Sequence, residues 1–140
     1  MKYLLDTCVF SEYGKPRPDT RVLDWVSAAV DEDLYISVLS IGELEKGILR
    51  LPGSARKSSL IQFLGDLKLR FAANIIDIDL AAMRRWAELM ANRESLVRPM
   101  PIIDSLIAAT ALEHDLALVT RNESDFDASG VTILNIWSGT

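Results

Sequence analysis

Short apolar segments of strand type alternate with longer amphipathic segments of helix type along the chain. β-branched and aromatic residues concentrate in five short runs, and the segments between them repeat apolar residues every three or four positions. Parallel neighbouring strands need a long right-handed crossover, which a helix supplies. The alternation therefore predicts an α/β fold, a three-layer α/β/α sandwich around a central, mainly parallel five-stranded sheet. The predicted strands are Tyr3–Leu5, Leu34–Val38, Asn74–Ile78, Leu116–Val119 and Val131–Ile136.

The predicted helices begin at residues that favour helix starts. Asp79 is a suitable N-cap, and Pro101 suits a first helical turn. A length of 140 residues with 49% apolar content predicts one buried core, so we expect a single domain over residues 1–140. The helices are expected at Thr20–Val30, at Ser40–Arg50, around Leu60–Leu67, from Asp79 through Arg93 and from Pro101 to His114.

Composition argues against a secreted or membrane protein. The longest apolar stretch, Ile102–Leu112, is interrupted by Asp104 and is shorter than the ~20 residues of a membrane span. The N-terminus offers only a brief apolar run before Asp6, which is not the pattern of a signal peptide. With one cysteine, Cys8, the sequence predicts neither a disulfide framework nor a thiolate metal cluster. We therefore expect a cytoplasmic protein with no membrane contact.

The chain is acidic, with a formal net charge of −5 and a pI near 4.8. A protein that holds nucleic acid mainly through a broad field has the opposite charge. Any contact with nucleic acid is therefore expected to be local or assisted by metal ions.

Two acidic residues lie near the carboxyl ends of the first two predicted strands, where open α/β sheets bind their ligands. Asp6 ends the first strand; alternatively, it only caps the helix that follows. Glu43 lies in the first turns of the helix after the second strand. It shares a stripe with Ser40 and Gly47, small residues that leave room for a ligand. Alternatively, it is an exposed glutamate stabilised by the helix dipole.

Asp104 interrupts a segment that is apolar nearly all round, and such a helix is expected to be largely buried. An ionised carboxylate there is costly unless it is paired, hydrogen-bonded or bound to metal. Because helices in this architecture run antiparallel to the strands, the start of this helix is expected at the same sheet edge as Asp6. The alternative is an aspartate whose oxygens accept backbone N–H groups of the first turn.

A fourth polar segment, Thr120–Phe126, follows the fourth strand and returns oxygen atoms to this edge. Asp125 is the favoured acidic member, with Asn122 and Glu123 also within reach. A plain polar loop is the alternative.

Carboxylates that converge on one edge repel each other and attract cations. With no cysteine cluster and a single histidine, His114, the ions that fit are hard, oxygen-seeking Mg²⁺ or Mn²⁺. Two such ions can activate a water molecule and stabilise the leaving oxygen of a phosphodiester. Bound metal would also supply the positive charge that the chain lacks.

The order and spacing of these motifs resemble the PIN-domain family, in particular its VapC-type toxins and their FitB-like branch. The similarity spans nearly the whole chain. It rests on Leu4–Thr7, Ser40–Leu44, Asp104 within residues 101–109, Thr120–Asn122 and Asp125.

The resemblance implies a PIN-like fold and an Mg²⁺- or Mn²⁺-dependent endoribonuclease that cuts RNA and is held inactive by a VapB-type antitoxin. By position, Asp6, Glu43 and Asp104 match the three core catalytic and metal-binding acids. Asp125 is expected as the fourth, supported by Thr7, Thr120 and Asn122, although many relatives have an aspartate at the place of Asn122.

The resemblance also implies a homodimer whose complex with antitoxin binds promoter DNA, with the antitoxin supplying the DNA-binding part. The exposed sides of residues 54–70 and 79–93 are the expected antitoxin surface, because two amphipathic helices can form a groove for a peptide segment.

Two other functions compete with a nuclease. A catalytically silent PIN-like module would bind a partner or regulate a complex and would cleave nothing. A phospho-receiver domain also places acids at the edge of a five-stranded parallel sheet. Asp77 and Asp79 could imitate its phospho-acceptor, but no lysine lies near the last strand and Glu43 and Asp104 would have no role.

Overall fold

Five parallel strands form one sheet in the order β3-β2-β1-β4-β5 in a computed structural model that describes residues 1–93 and 100–138. The all-parallel pairing and the helices between the strands confirm the predicted α/β/α class. The strands are β1 Tyr3–Leu5, β2 Leu34–Ser37, β3 Ile75–Ile76, β4 Ala117–Val119 and β5 Ile133–Leu134.

Seven α-helices lie within the described residues, with 3₁₀ turns between some of them. The helices are α1 Thr7–Ser11, α2 Thr20–Ala28, α3 Val38–Leu49, α4 Ala55–Arg70, α5 Leu80–Arg93, α6 Ile102–Glu113 and α7 Glu123–Phe126. The 3₁₀ turns cover Glu12–Gly14, Asp31–Asp33, Ala72–Asn74 and Asp127–Ser129. Within the described parts of the chain, no helix is long and apolar enough to cross a membrane.

The two faces of the sheet bury separate apolar cores. Successive side chains of a strand point to opposite faces, so Leu4 and Leu5 enter different cores. Helices α1 to α4 contribute to the Leu5 side, and α5, α6 and α7 cover the Leu4 side. The first core includes Leu5, Val9, Val22, Ile48 and Leu64; the second includes Leu4, Leu89, Ile107, Leu118 and Phe126. This arrangement is a three-layer sandwich.

The strand order places a topological switch between β1 and β4. The chain moves outward from β1 to β2 and β3, and then returns to β4 on the other side of β1. The register pairs Leu5 with Val119, which brings Asp6 beside Thr120. Ligands of open α/β sheets bind at such a point, beyond the carboxyl ends of the strands.

Most predicted boundaries agree with the structure within one or two residues, but α4 extends over Ala55–Arg70, well beyond the expected Leu60–Leu67, and the edge strands are shorter than predicted. β3 and β5 each hold two residues instead of five and six, because an edge strand has one neighbour to pair with. Asp79 caps α5 as expected, accepting the Ala82 N–H at 2.9 Å. Pro101 stands at the N-cap position, just outside α6. The polar segment after β4 contains a short helix, α7, that was not predicted.

The strand order excludes the phospho-receiver alternative. Doubly wound receiver sheets have the order 2-1-3-4-5, with the third strand beside the first. Here β3 is an edge strand separated from β1 by β2, so Asp77 and Asp79 lie away from the centre of the sheet. Asp79 serves as a helix cap.

Glu12 is a buried carboxylate, 3% exposed, at the end of α1. Its oxygens accept the Asp19 backbone N–H at 2.8 Å, the Lys15 ammonium at 3.0 Å and the Trp137 indole N–H at 3.1 Å. Burial alone would raise the pKa of Glu12, but these three donors together lower it below its usual value. The ionised form therefore stabilises the fold by joining α1 to the start of α2 and to the segment after β5.

Glu12→Gln is expected to lower the free energy of unfolding by about 1–2 kcal/mol near neutral pH, since the amide NH₂ would face other donors. Because the folded-state pKa lies below the ordinary value of 4.5, this stabilisation is present above that value and is lost as the pH falls through the lowered pKa. Urea unfolding near pH 7 and near pH 3 tests this. The exposed Glu32→Gln variant serves as the control, and equal stability of Glu12→Gln and wild type near pH 7 would contradict it.

Candidate functional site

Asp6 lies at the switch point, with both oxygens hydrogen-bonded. It ends β1, is 4% exposed and caps α1 by accepting the Thr7 N–H at 2.8 Å on Oδ1. Oδ2 accepts the Thr120 hydroxyl at 2.8 Å. Burial raises its pKa, and the nearby charge of Glu43 adds to the effect, although these hydrogen bonds oppose it. Asp6 therefore both caps α1 and interacts electrostatically with a second acid, Glu43.

Glu43 is exposed on the second turn of α3, and its carboxylate points back toward α1. Its Oε1 lies 2.6 Å from the Thr7 hydroxyl. The same hydroxyl is 3.0 Å from that of Ser40, which is buried one turn earlier in α3. In the sequence, Ser40 is recognisable only as a small residue on the Glu43 side of the helix. Its hydrogen bond to Thr7 was missed, because a contact across 33 positions leaves no local signal.

Asp104 stands in the first turn of α6 and is half-buried. Burial is the largest cause that raises its pKa, to about 6, followed by the negative charges of Asp6, Asp125 and Glu43. Within residues 1–93 and 100–138, no hydrogen bond or cation offsets these effects. The alternative of an aspartate bound by first-turn N–H groups is therefore not observed in that part of the chain.

The segment after β4 brings Asp125 and Thr120, but not Glu123, toward these acids. Asp125 is half-buried in α7, and its charge acts on Asp104. Asn122 is exposed, and its backbone N–H binds the Thr120 hydroxyl oxygen at 3.1 Å. Glu123 accepts a hydrogen bond from Asn135 at 2.9 Å, beyond β5.

Cys8 contacts Asp6 and Thr120 at this edge of the sheet. Its Sγ lies 3.8 Å from Asp6 Oδ2 and 3.7 Å from Thr120 Oγ1. Burial and the charge of Asp6 raise the pKa of this thiol to about 11. Cys8 is therefore a neutral thiol beside Asp6 at neutral pH.

The four acids interact electrostatically but do not form a closely spaced cluster. Within the described ranges, no three His, Cys, Asp or Glu side chains are grouped closely enough to hold one metal ion. The donor set is nevertheless made of hard oxygen ligands, and after burial the negative charges of the other three acids raise the pKa of Asp104. In its chemistry, the set fits a divalent cation that prefers oxygen.

A groove of about 310 Å³ lies on the Leu5 side of the sheet, whereas the sequence predicted a groove between residues 54–70 and 79–93. Helices α4 and α5 pack on opposite faces of the sheet, so they cannot form a groove together. The groove is instead lined by α1, α3, α4 and the segments that follow α1 and α3. Its lining includes Phe10, Leu44, Gly47, Leu60 and Phe63, with Lys15 and Arg56.

The all-parallel sheet with acids at its switch point places this chain in a class of protein that its similarity to known proteins identifies. The PIN domain model matches residues 3–130, and the chain belongs to the PIN-domain family. VapC ribonuclease Y4jK of Sinorhizobium fredii is 36% identical over 135 residues, covering 96% of each chain.

Two further similarities extend over almost the entire chain. Toxin FitB of Neisseria gonorrhoeae is 33% identical over 135 residues, covering 96% of this chain and 97% of FitB. The structure of FitAB bound to an IR36 DNA fragment matches with a TM-score of 0.90 and 30% identity, covering 96% of this chain and 95% of that chain. These matches confirm the predicted family and fold.

Asp104→Asn is expected to stabilise the metal-free protein above about pH 6. The folded-state pKa of about 6 exceeds the ordinary 3.8, so ionisation between these values costs stability that the folded protein has at lower pH. Asparagine removes that cost. Since Asp104 is half-exposed, solvent screening reduces the gain to about 1 kcal/mol.

Urea unfolding in EDTA near pH 8 and near pH 4 measures this effect, with the exposed Asp127→Asn as the matched control. The gain of Asp104→Asn should be present near pH 8 and absent near pH 4. An equal gain at both pH values would show that its cause is not the ionisation of Asp104.

Proposed function

We propose that this chain is a metal-dependent endoribonuclease, the toxin of a toxin–antitoxin pair, which hydrolyses RNA phosphodiester bonds at Asp6, Glu43, Asp104 and Asp125. The observation that carries this proposal is the setting of Asp104, in an otherwise apolar helix start where burial and then the charges of three other acids raise its pKa. Such an arrangement is costly for folding alone and is typical of functional sites. Because RNA is the proposed substrate, we propose that the protein acts in the cytoplasm.

The relatives support the reaction class. VapC ribonuclease Y4jK is named for ribonuclease activity and FitB for toxin activity, and both align with this chain over almost its full length. A ribonuclease with a net charge of −5 needs a local positive charge to approach phosphate, and bound cations provide it.

Asp6, Glu43, Asp104 and Asp125 would hold Mg²⁺ or Mn²⁺. When bound, the metal supplies a water molecule of lowered pKa and neutralises charge on the phosphate and the leaving oxygen. The chain itself orients the ligands: Thr7 N–H and Thr120 fix both oxygens of Asp6, and the Thr7 hydroxyl fixes Glu43. Thr7 and Thr120 are therefore supporting residues of the site.

Asp125 is the better fourth acid. Its charge reaches Asp104, whereas the described contact of Asn122 is the backbone bond that orders Thr120. We assign Asn122 a supporting role through that backbone bond, and its side chain is dispensable.

RNA cleavage by the purified, antitoxin-free protein tests the proposal. Discrete fragments are expected from total cellular RNA with Mn²⁺ or Mg²⁺, and none with EDTA. Asp6→Asn and Asp104→Asn should each lower the cleavage rate at least about a hundredfold, because each removes a metal ligand. Asp125→Asn should lower it at least about tenfold, and Asn122→Ala less than about threefold.

Asp127→Asn, two positions after Asp125 and exposed, is the matched control and should cut like the wild type. Intact RNA in every lane, from folded protein that binds Mn²⁺, would favour the catalytically silent binding module. A larger loss for Asn122→Ala than for Asp125→Asn would reverse the assignment of the fourth acid.

A VapB-type antitoxin is the proposed protein partner, bound in the groove between α1, α3 and α4. Its apolar floor fits the apolar side of a peptide, and Lys15 and Arg56 fit acidic residues beside it. Promoter DNA, as in the FitAB structure with its DNA fragment, would be contacted through the antitoxin. By resemblance to the family, the toxin itself is proposed to be a homodimer.

Gly47→Gln is expected to weaken antitoxin binding at least about tenfold, or ~1.4 kcal/mol, by filling the groove. Gly47 lines the groove and a Cβ there meets nothing within 4 Å, so that the fold itself should tolerate the side chain. Gly65→Gln, equally open but outside the groove lining, is the control. The measurement is the affinity for a purified VapB-type antitoxin that binds the wild type, and equal affinities of both variants would remove the groove as its docking site.

A further inference from the structure

Ser40 has a buried hydroxyl that does not serve its own helix. It is 1% exposed in the first turn of α3, and its Oγ lies 3.0 Å from Thr7 Oγ1 in α1. Ser37, three positions earlier and also buried, has the ordinary use of a serine at a helix start, since its hydroxyl oxygen accepts the Leu39 N–H at 3.1 Å. The two serines therefore differ in the direction of their hydroxyl groups.

The number of hydrogens fixes the direction of the hydrogen bonds. Thr7 has one hydroxyl hydrogen and two oxygen neighbours, Ser40 Oγ at 3.0 Å and Glu43 Oε1 at 2.6 Å. An ionised carboxylate only accepts, so Thr7 donates to Glu43. With that hydrogen donated to Glu43, the Thr7 oxygen is free to accept. Rotation of the Ser40 hydroxyl, which the structure places as the acceptor of this contact, then makes Ser40 the donor.

The result is a directed chain from Ser40 through Thr7 to Glu43. Consecutive hydrogen bonds polarise and strengthen one another. Glu43 is exposed and has several rotatable bonds, whereas Ser40 is buried in the fold. These hydrogen bonds therefore link the exposed Glu43 carboxylate to a buried group and restrict the rotamers that it would otherwise sample.

We infer that Ser40 is a positioning residue that holds the Glu43 carboxylate, through Thr7, in the orientation needed to bind a divalent cation. This inference rests on the proposed function, in which Glu43 is a metal ligand. Outer partners of metal ligands typically account for about 10–100-fold of metal affinity, and Ser40 acts one bond further away. Its contribution is therefore about tenfold, at the lower end.

The test is Mn²⁺ binding to the purified protein, measured by isothermal titration calorimetry at neutral pH. Four proteins form a double-mutant cycle: the wild type, Ser40→Ala, Glu43→Gln and the double variant. Ser40→Ala is expected to weaken Mn²⁺ binding about tenfold in the wild type, and less than about twofold when Glu43 is already glutamine. Ser37→Ala, the matched control, should lower the melting temperature while Mn²⁺ affinity stays within about twofold of the wild type.

Thr7→Val provides a second variant that keeps the shape of residue 7 and removes the central hydroxyl. It should weaken Mn²⁺ binding at least as much as Ser40→Ala, and it tests the series of hydrogen bonds even if Ser40→Ala fails to fold.

The inference is overturned if Ser40→Ala matches Ser37→Ala in Mn²⁺ affinity, or if its effect persists unchanged beside Glu43→Gln. With RNA cleavage by the wild type intact, that result removes only the role of Ser40. If the wild type does not cleave RNA but the calorimetric cycle is as expected, the ribonuclease activity is refuted and the role of Ser40 stands.

Discussion

The pairing of β1 with β4 is the constraint on which the site depends. It places Asp6 beside Thr120, residues 114 positions apart in sequence, and joins them by a 2.8 Å hydrogen bond. The Leu4 and Leu5 side chains on either side of β1 lock this strand between two apolar cores. A carboxylate with such low exposure is held by the whole sandwich, so its position is as rigid as the core itself.

Around this fixed carboxylate, the remaining acids are held with decreasing rigidity. Asp104 takes its place from α6, whose following residues Ile107 and Ala108 are fully buried. Asp125 lies on a four-residue helix, and Glu43 projects from the exposed side of α3.

The sequence was sufficient to predict the fold because its signals are local. Strand and helix periodicities, the cap at Asp79 and the helix-opening Pro101 each involve residues within one turn of each other. Asp104 was found for the same reason, since a charge among apolar residues is visible without a structure. The short edge strands, the Ser40–Thr7 contact and the separation of α4 from α5 depend on tertiary neighbours. Periodicity does not contain that information, and the predicted groove between residues 54–70 and 79–93 was wrong on that account.

Glu12 links the beginning of the chain to its end. Its buried carboxylate accepts a hydrogen bond from the Trp137 indole N–H, 125 positions later. During synthesis, the N-terminal half therefore emerges with a carboxylate that cannot yet be buried with all its donors, and with Asp6 still lacking Thr120. Chains whose contacts span long sequence separations complete their structure late. A nascent chain of this protein cannot assemble its acidic site before Thr120 and Asp125 have left the ribosome.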